Sequence, residues 1–249
     1  MKESIDMKIS ILTSDLSQNC LVRPYLLAKI LQKHYEVEIV GPIFGEGIWA
    51  PVASDKSIKY RYIKINGKFN RYVQILNLVK EIDGDVIYAS KPRFASFGVG
   101  LLTKLIKGKP LILDIEDWDM GIIKEDILGR RFTRKIKYMI LSIFFFYANN
   151  SYWNNLIFEK FVHFADEITV SNKFLKEKFG GTIIYHGRDT ESLNPKKFDK
   201  KTMREKYNIG LDRKIVIFSE YLDTVKYLEP ILRKHYGYVQ ATLYLKDPS

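Results

Sequence analysis

The sequence contains one cysteine, no long apolar run and no glycine-rich nucleotide motif, and each absence excludes a class of protein. A single cysteine, Cys20, excludes an intrachain disulfide and any cysteine-rich metal centre. No stretch reaches the ~18 apolar residues that a membrane-spanning helix needs. No Gly-x-Gly-x-x-Gly follows a predicted strand, which argues against a dinucleotide oxidoreductase. The charged start leads into only a short apolar run and shows no secretory signal, so we expect a cytoplasmic protein.

Acidic side chains are also in the minority. The 249 residues include 40 Lys and Arg against 29 Asp and Glu, a net charge of +11. Such an excess favours polyanionic partners, which are nucleic acid, anionic lipid headgroups or phosphorylated ligands, although solvated surface lysines would give the same total. With 46% hydrophobic residues, the chain has enough apolar side chains for a real core.

Strand and helix patterns alternate along most of the chain. This order predicts an α/β fold, a doubly wound and mainly parallel sheet of about six or seven strands over Met7–Tyr185. Gly41-Pro42 is expected to end the second strand. The predicted strands are Lys8–Thr13, Tyr35–Val40, Ile58–Ile65, Asp85–Ala89, Pro110–Ile115, Glu167–Val170 and Thr182–Tyr185. The predicted helices are Leu21–Lys33, Val73–Ile82, Phe94–Ile106, a helical region up to about Phe164, and Asn172–Phe179.

Several segments, in order, resemble a known enzyme family. The most specific are Phe164-Ala-Asp-Glu-Ile-Thr-Val-Ser171 and Ile184-Tyr-His-Gly-Arg-Asp-Thr190, supported by Pro110–Trp118 and Lys214–Phe218. They resemble retaining glycosyltransferases of the GT-B fold, in the large family four. The resemblance implies a Rossmann-like acceptor-binding domain over 1–190, a linker over 191–213 and the start of a donor-binding domain over 214–249. It also implies a nucleotide-sugar donor, no other cofactor and no metal.

The chain departs from the family's pattern in two places. The loop Ser14–Cys20 has no glycine where the family has adjacent glycines, and close approach to a phosphate needs them. After Phe218 the family's Gly-rich turn, Lys/Arg pair and Glu-x7-Glu motif are missing, and Glu220 and Glu229 have the wrong spacing. We therefore expect a truncated donor domain and a chain that does not transfer sugar alone.

An acidic segment follows the fifth predicted strand. In open α/β sheets, ligands bind at the carboxyl ends of strands, and the resemblance places Glu116 near the reacting sugar. We predict Glu116 and Asp117 as catalytic residues and Asp114 as a substrate-binding residue, with Asp114 and Glu116 on one face if the strand extends that far. Capping of the next helix, or pairing with Arg130 and Arg131, would explain the same carboxylates.

Six further positions are candidates for substrate binding. Lys91 and Arg93 follow the fourth strand and could receive a phosphate or an acidic acceptor. Arg23 lies at the start of the first helix, where an anion could bind. His186, Gly187 and Arg188 follow the last strand, where glycine allows close backbone approach and Arg188 offers two donors. Exposed cations and a simple linker turn are the alternatives.

A basic cluster runs directly into an apolar aromatic segment, Tyr138–Ala148. Arg130, Arg131, Arg134 and Lys135 could contact lipid headgroups while the following residues face the membrane. Burial of most of this helix in the core is the favoured alternative.

Together these features predict a glycosyltransferase that moves a sugar onto a glycan or lipid-linked acceptor hydroxyl with retention of configuration. The alternative is a non-catalytic basic α/β module that binds an anionic membrane or nucleic acid. Because most aromatics lie in apolar runs rather than among exposed lysines and arginines, nucleic acid is the less favoured partner.

Overall fold

The computed structural model describes residues 7–67, 70–187 and 194–213. The chain divides into two compact units, Met1–Asp189 and Thr190–Ser249. In the second unit, the described residues form a 3-10 turn at Pro195–Lys197 and the helix Lys200–Lys206. The predicted strand Lys214–Phe218 and the rest of the segment 214–249 lie outside the described residues, as does Arg188.

The first unit is built on a seven-stranded sheet in which every neighbouring pair is parallel. The strand order is β3-β2-β1-β4-β5-β6-β7, so the order reverses between β1 and β4. This confirms the predicted doubly wound α/β fold and places its switch point, where ligands bind in such sheets, beside β1 and β4. The strands are β1 Lys8–Leu12, β2 Glu36–Ile43, β3 Lys59–Lys64, β4 Val86–Ser90, β5 Leu111–Ile115, β6 Glu167–Val170 and β7 Thr182–Ile183.

Helices cover both faces of the sheet. Along β1, Ile11 and Leu12 point to opposite faces and join two separate apolar cores. The core around Ile11 includes residues of α1 and α2, and the core around Leu12 includes residues of α4, α5, α8 and α9. The helices are α1 Val22–Leu31, α2 Ala50–Ala53, α3 Arg71–Leu76, α4 Leu78–Glu81, α5 Val99–Lys107 (preceded by a π-helical turn, Phe94–Gly98), α6 Asp119–Leu128, α7 Phe132–Phe144, α8 Tyr152–Lys160, α9 Lys173–Phe179 and, in the second unit, α10 Lys200–Lys206.

The prediction that Gly41-Pro42 ends the second strand is wrong. The strand β2 continues to Ile43, and Pro42 pairs with Ile63 of β3. The carbonyl of Pro42 accepts a hydrogen bond from Leu16 N–H at 2.8 Å, on the side where β1 has already ended. Because the N and C=O of a strand residue face the same side, the missing proline N–H interrupts no bond to β3.

The favoured alternative for the aromatic segment, burial of most of it in the core, is also wrong. In α7 the single buried residue is Ser142, whereas Phe132, Ile140 and Phe144 are more than half exposed. The helix packs against α8, and its apolar outer side contributes nothing to either core. A run of aromatic residues in the sequence does not specify which side of a helix faces the protein.

A buried ion pair joins α1 to the sheet. Arg23 donates from Nε and Nη2 to the two carboxylate oxygens of Asp114 on β5, at 2.6 and 2.8 Å. The Nη2 group also donates to the carbonyl of Ile184, just after β7, at 3.0 Å. Thr169 of β6 donates to Asp114 at 2.7 Å, and burial beside this carboxylate raises the pKa of the Tyr88 hydroxyl. One guanidinium therefore connects elements from three parts of the chain.

We expect Arg23→Met to lower the free energy of unfolding by about 3–5 kcal/mol, because Asp114 would remain buried without its counter-charge. Urea denaturation measures the loss. The matched control is Arg131→Met, which changes an exposed arginine and should stay within about 0.5 kcal/mol of wild type. Adding Asp114→Leu should recover much of the loss. If Arg23→Met is as stable as the control, the ion pair does not hold α1.

Candidate functional site

A compact group of charged side chains lies at the carboxyl ends of β4 and β5. We call it the Lys91 cluster; its members are Lys91, Arg93, Glu116, Asp117 and Asp119. Lys91 directly follows β4 and has a positive φ of 66°, a conformation that costs energy for any residue with a side chain. Its N–H donates to the carbonyl of Asp114 at 2.8 Å, which fixes the backbone in this conformation.

The ammonium group of Lys91 lies among three carboxylates. Its Nζ is 3.0 Å from Glu116 Oε1, 2.8 Å from Asp117 Oδ2 and 3.4 Å from Asp119 Oδ1. The Lys91 and Asp119 side chains are each 9% exposed, whereas Asp117 is 51% exposed. Among the described residues, no group of His, Cys, Asp and Glu side chains is arranged to hold a metal ion.

Arg93 connects the cluster to the chain that follows β1, on the other side of the switch point. Its Nε and Nη2 groups contact Asp119 Oδ2 at 3.0 and 2.8 Å, and its Nη1 lies 3.5 Å from Ser14 Oγ. With two cations and three carboxylates, the cluster has a formal charge of −1 when all are ionised. This balance does not favour the phosphate that we predicted at Lys91 and Arg93, because both cations already face carboxylates.

For both Lys91 and Glu116, burial and ion pairing shift the side-chain pKa in opposite directions. Burial alone would lower the pKa of Lys91, but the carboxylates of Asp119, Glu116 and Asp117 outweigh it and raise that pKa. Burial raises the pKa of Glu116, and the Lys91 ammonium opposes this shift without cancelling it. Lys91 therefore stays charged at neutral pH, and Glu116 is easier to protonate than an exposed glutamate.

A surface cavity of about 270 Å³ opens beside the cluster. Arg93 and Asp119 form its charged wall, and Ile122 and Ile123 of α6 form an apolar wall. Asn149 contributes a buried amide oxygen that has no hydrogen-bond partner among the described residues. The remaining lining residues are Gln18, Asn19 and Cys20 from the loop after β1, and Asn150.

The predicted site residues fall into separate groups. Arg23 and Asp114 bind each other in the buried ion pair, so neither presents a free charged group to the cavity in this arrangement. Glu116 and Asp117 join the Lys91 cluster but do not line the cavity, and β5 ends at Ile115, so the strand does not extend to Glu116. His186 and Gly187 are exposed in the chain after β7, and their substrate contact stays a prediction.

The alternative in which the acidic segment pairs with Arg130 and Arg131 is wrong. No ion pair between them is recorded among the described residues. Lys91 and Arg93 neutralise the cluster, whereas Arg130 pairs with Asp126 four residues before it on the same helical stretch. Sequence reasoning missed Asn149 and Asn150, which are distant along the chain and follow no strand. The loop Gln18–Cys20 could have been found from the rule that ligands bind after β1.

These features define a Rossmann-like α/β protein with a cavity at the topological switch point that has one charged and one apolar wall. No protein-family profile matches the chain, and no curated protein matches it. Solved structures with a similar fold exist, and the three described below have low sequence identity to this chain. A putative UDP-N-acetylglucosamine 2-epimerase from Listeria monocytogenes is 13% identical over 70% of this chain and 42% of its own, with a TM-score of 0.46.

Two further similar structures contain nucleotide. The S. aureus MnaA–UDP complex is 12% identical, covers 81% of this chain and 50% of its own, and has a TM-score of 0.47. Anabaena HepE in complex with UDP and glucose is 16% identical with the same coverage and a TM-score of 0.46. The chain spans half or less of the length of these structures. At such TM-scores the similarity does not identify the activity of this chain.

We expect Lys91→Met to destabilise the protein in a pH-dependent way. At neutral pH the loss should reach about 3–5 kcal/mol, because Glu116 would remain buried without its counter-charge. The folded-state pKa of Glu116 would rise further above the unfolded value near 4, so protonation restores stability as pH falls, and the loss should shrink toward about pH 4.

Urea denaturation at both pH values measures this loss, and Lys56→Met, a change of an exposed lysine, is the matched control. An equal loss at neutral and acidic pH would show that Lys91 acts by packing and not by charge.

Proposed function

We propose that residues 7–187 form the acceptor-binding half of an enzyme that transfers a sugar from a nucleotide-sugar to a hydroxyl group. The observation that carries the proposal is the cavity at the switch point, with a charged wall of Arg93 and Asp119 and an apolar wall of Ile122 and Ile123. Small-molecule sites combine a mostly apolar lining with a few convergent polar groups in this way. The segments that resemble family four glycosyltransferases support the same assignment.

The cavity suits a neutral, hydroxyl-rich acceptor. Sugar hydroxyls donate hydrogen bonds, and the carboxylate of Asp119 and the amide oxygen of Asn149 accept them. The guanidinium of Arg93 can donate to a hydroxyl oxygen. The side chains of Ile122 and Ile123 offer an apolar surface for the C–H face of a sugar ring. A phosphorylated acceptor would meet the excess negative charge of the Lys91 cluster.

In this proposal Glu116 and Asp117, which share the Lys91 cluster with the cavity wall residue Asp119, act on an acceptor hydroxyl that extends past this wall. Asp117 is the most exposed carboxylate of the cluster and can accept a hydrogen bond from the hydroxyl that attacks the sugar. Glu116 has a raised pKa, which brings a carboxylate closer to the range useful for general acid–base catalysis. Lys91 would hold both carboxylates in place and limit their motion, which lowers the entropic cost of reaction.

Retention of configuration and membership of family four rest on the sequence resemblance alone. The same holds for the type of acceptor, a glycan or lipid-linked precursor. Anomeric proton couplings in the NMR spectrum of the transferred sugar would distinguish retention from inversion.

We expect Ile122→Trp to abolish saccharide binding, because the indole would fill a cavity of about 270 Å³. Ile122 is 60% exposed, so the larger side chain should not disturb the core. The measurement is saturation-transfer NMR on the full chain with neutral oligosaccharides as probes. The matched control is Leu105→Trp on α5, since Leu105 is also exposed and does not line the cavity.

A second pair of probes, UDP and inorganic pyrophosphate, tests the chemistry of the cavity. We expect neither to displace a bound saccharide. Displacement by either anion, or a saccharide signal that survives Ile122→Trp, would overturn the assignment of this cavity to the acceptor. RNA binding lost in the same variant would favour the nucleic-acid module instead.

A further inference from the structure

The outer side of α7 carries a continuous stripe of exposed apolar residues. Its members recur at spacings of three and four residues, which places them on one side of the helix. They are 44–75% exposed, unusual for a group of large hydrophobic side chains on one short element. The stripe consists of Phe132, Ile136, Ile140, Ile143 and Phe144.

Hydrogen bonds join the opposite side of α7 to the residues that follow it. Trp153 Nε1 donates to the carbonyl of Met139 at 3.0 Å, and Ser151 Oγ donates to the carbonyl of Ser142 at 2.8 Å. The Tyr138 hydroxyl donates to the carbonyl of Asn150. These contacts fix the orientation of the helix and keep its apolar stripe directed away from the fold.

The chain around α7 carries charge of one sign. No acidic residue occurs between Asp126 and Glu159. Arg131, Arg134 and Lys137 are exposed at or near the helix N-terminus, where the helix dipole disfavours cations. Arg130 is different, because it pairs with Asp126 and stacks on Tyr138 at 4.9 Å. Within the described part of the chain, no ion pair is recorded for Arg131, Arg134 or Lys137, and the dipole disfavours the two arginines at the first turn.

We propose that the outer side of α7 binds an anionic membrane surface, with the helix lying in the plane of the headgroups. The apolar stripe enters the headgroup–acyl boundary while Arg131, Arg134 and Lys137 contact lipid phosphates, as in other interfacial amphipathic helices. With 13 residues, α7 is about 20 Å long. None of the described helices has the length and apolar content to cross a bilayer.

Charge also decides between a membrane and a second copy of this chain. In a symmetric dimer through α7, the same cations would face each other across the interface and repel. A membrane rich in anionic lipid supplies the opposite charge together with an apolar layer. The surface lies next to the candidate site, since Asn150, which accepts from Tyr138, also lines the cavity.

The test is sedimentation of the full chain with vesicles of phosphatidylglycerol and phosphatidylcholine, compared with phosphatidylcholine alone. We expect binding to the anionic vesicles, weakened by salt. The variant R131S/R134S/K137S should weaken it roughly 100-fold, because each cation near the surface adds to the affinity. The variant I136S/I140S/I143S should weaken it at least as much, through lost apolar contact.

The matched control variants change similar residue types at exposed positions outside α7. K33S/K56S/K80S removes the same number of positive charges, and L105S/I106S removes apolar residues of α5 that are 82% and 65% exposed. Both controls should bind vesicles like wild type. Equal losses in test and control variants, or no binding to anionic vesicles, would overturn the proposal. So would a dimer in analytical ultracentrifugation that only I136S/I140S/I143S dissociates. Because no sugar is present, the result does not depend on the proposed function.

Discussion

Parallel pairing of all seven strands determines where polar chemistry can occur in this protein. In a parallel sheet every strand ends at the same edge, and the chain then turns into a helix on one face or the other. Here the helices after β1 and β4 leave on opposite faces, which opens a gap at the edge between them. Ser14, Lys91 and Arg93 reach that gap from two strands that are distant along the chain.

The charges at this edge must balance one another because water has little access to any of them except Asp117. A buried ammonium or carboxylate without a partner costs several kcal/mol. Lys91 has three carboxylates as partners of opposite charge, and Arg93 shares one of them, Asp119, with Lys91. The shared arrangement leaves slightly more negative than positive charge, and the site therefore differs from a phosphate-binding loop. The unfavourable φ of Lys91 indicates how strongly the surroundings fix its position.

Much of the fold follows from local sequence, and much of the site does not. Strands such as β5 and β6 are recognisable because β-branched and aliphatic residues alternate or run together between turn residues. The partner of Asp114 is not recognisable, since Arg23 is 91 residues away and the pairing depends on how α1 crosses the sheet. The exposure of α7 is equally unpredictable from the sequence. An apolar aromatic run predicts a helix, but the elements that pack against the helix determine which side is covered. Asn149 reaches the cavity through the path of the loop after α7, for which no sequence signal exists.

The buried pair of Arg23 and Asp114 has a consequence for the order in which the chain can fold. During synthesis, α1 emerges long before β5, and the carbonyl of Ile184 that completes the guanidinium's contacts lies 161 residues after Arg23. Until both have emerged, Arg23 can keep its charge only in contact with water, so α1 cannot dock stably in its native position. Contacts of such long sequence separation slow folding. We therefore expect that the first half of this sheet does not fold stably by itself, and that the unit is complete only when β7 and Ile184 have joined.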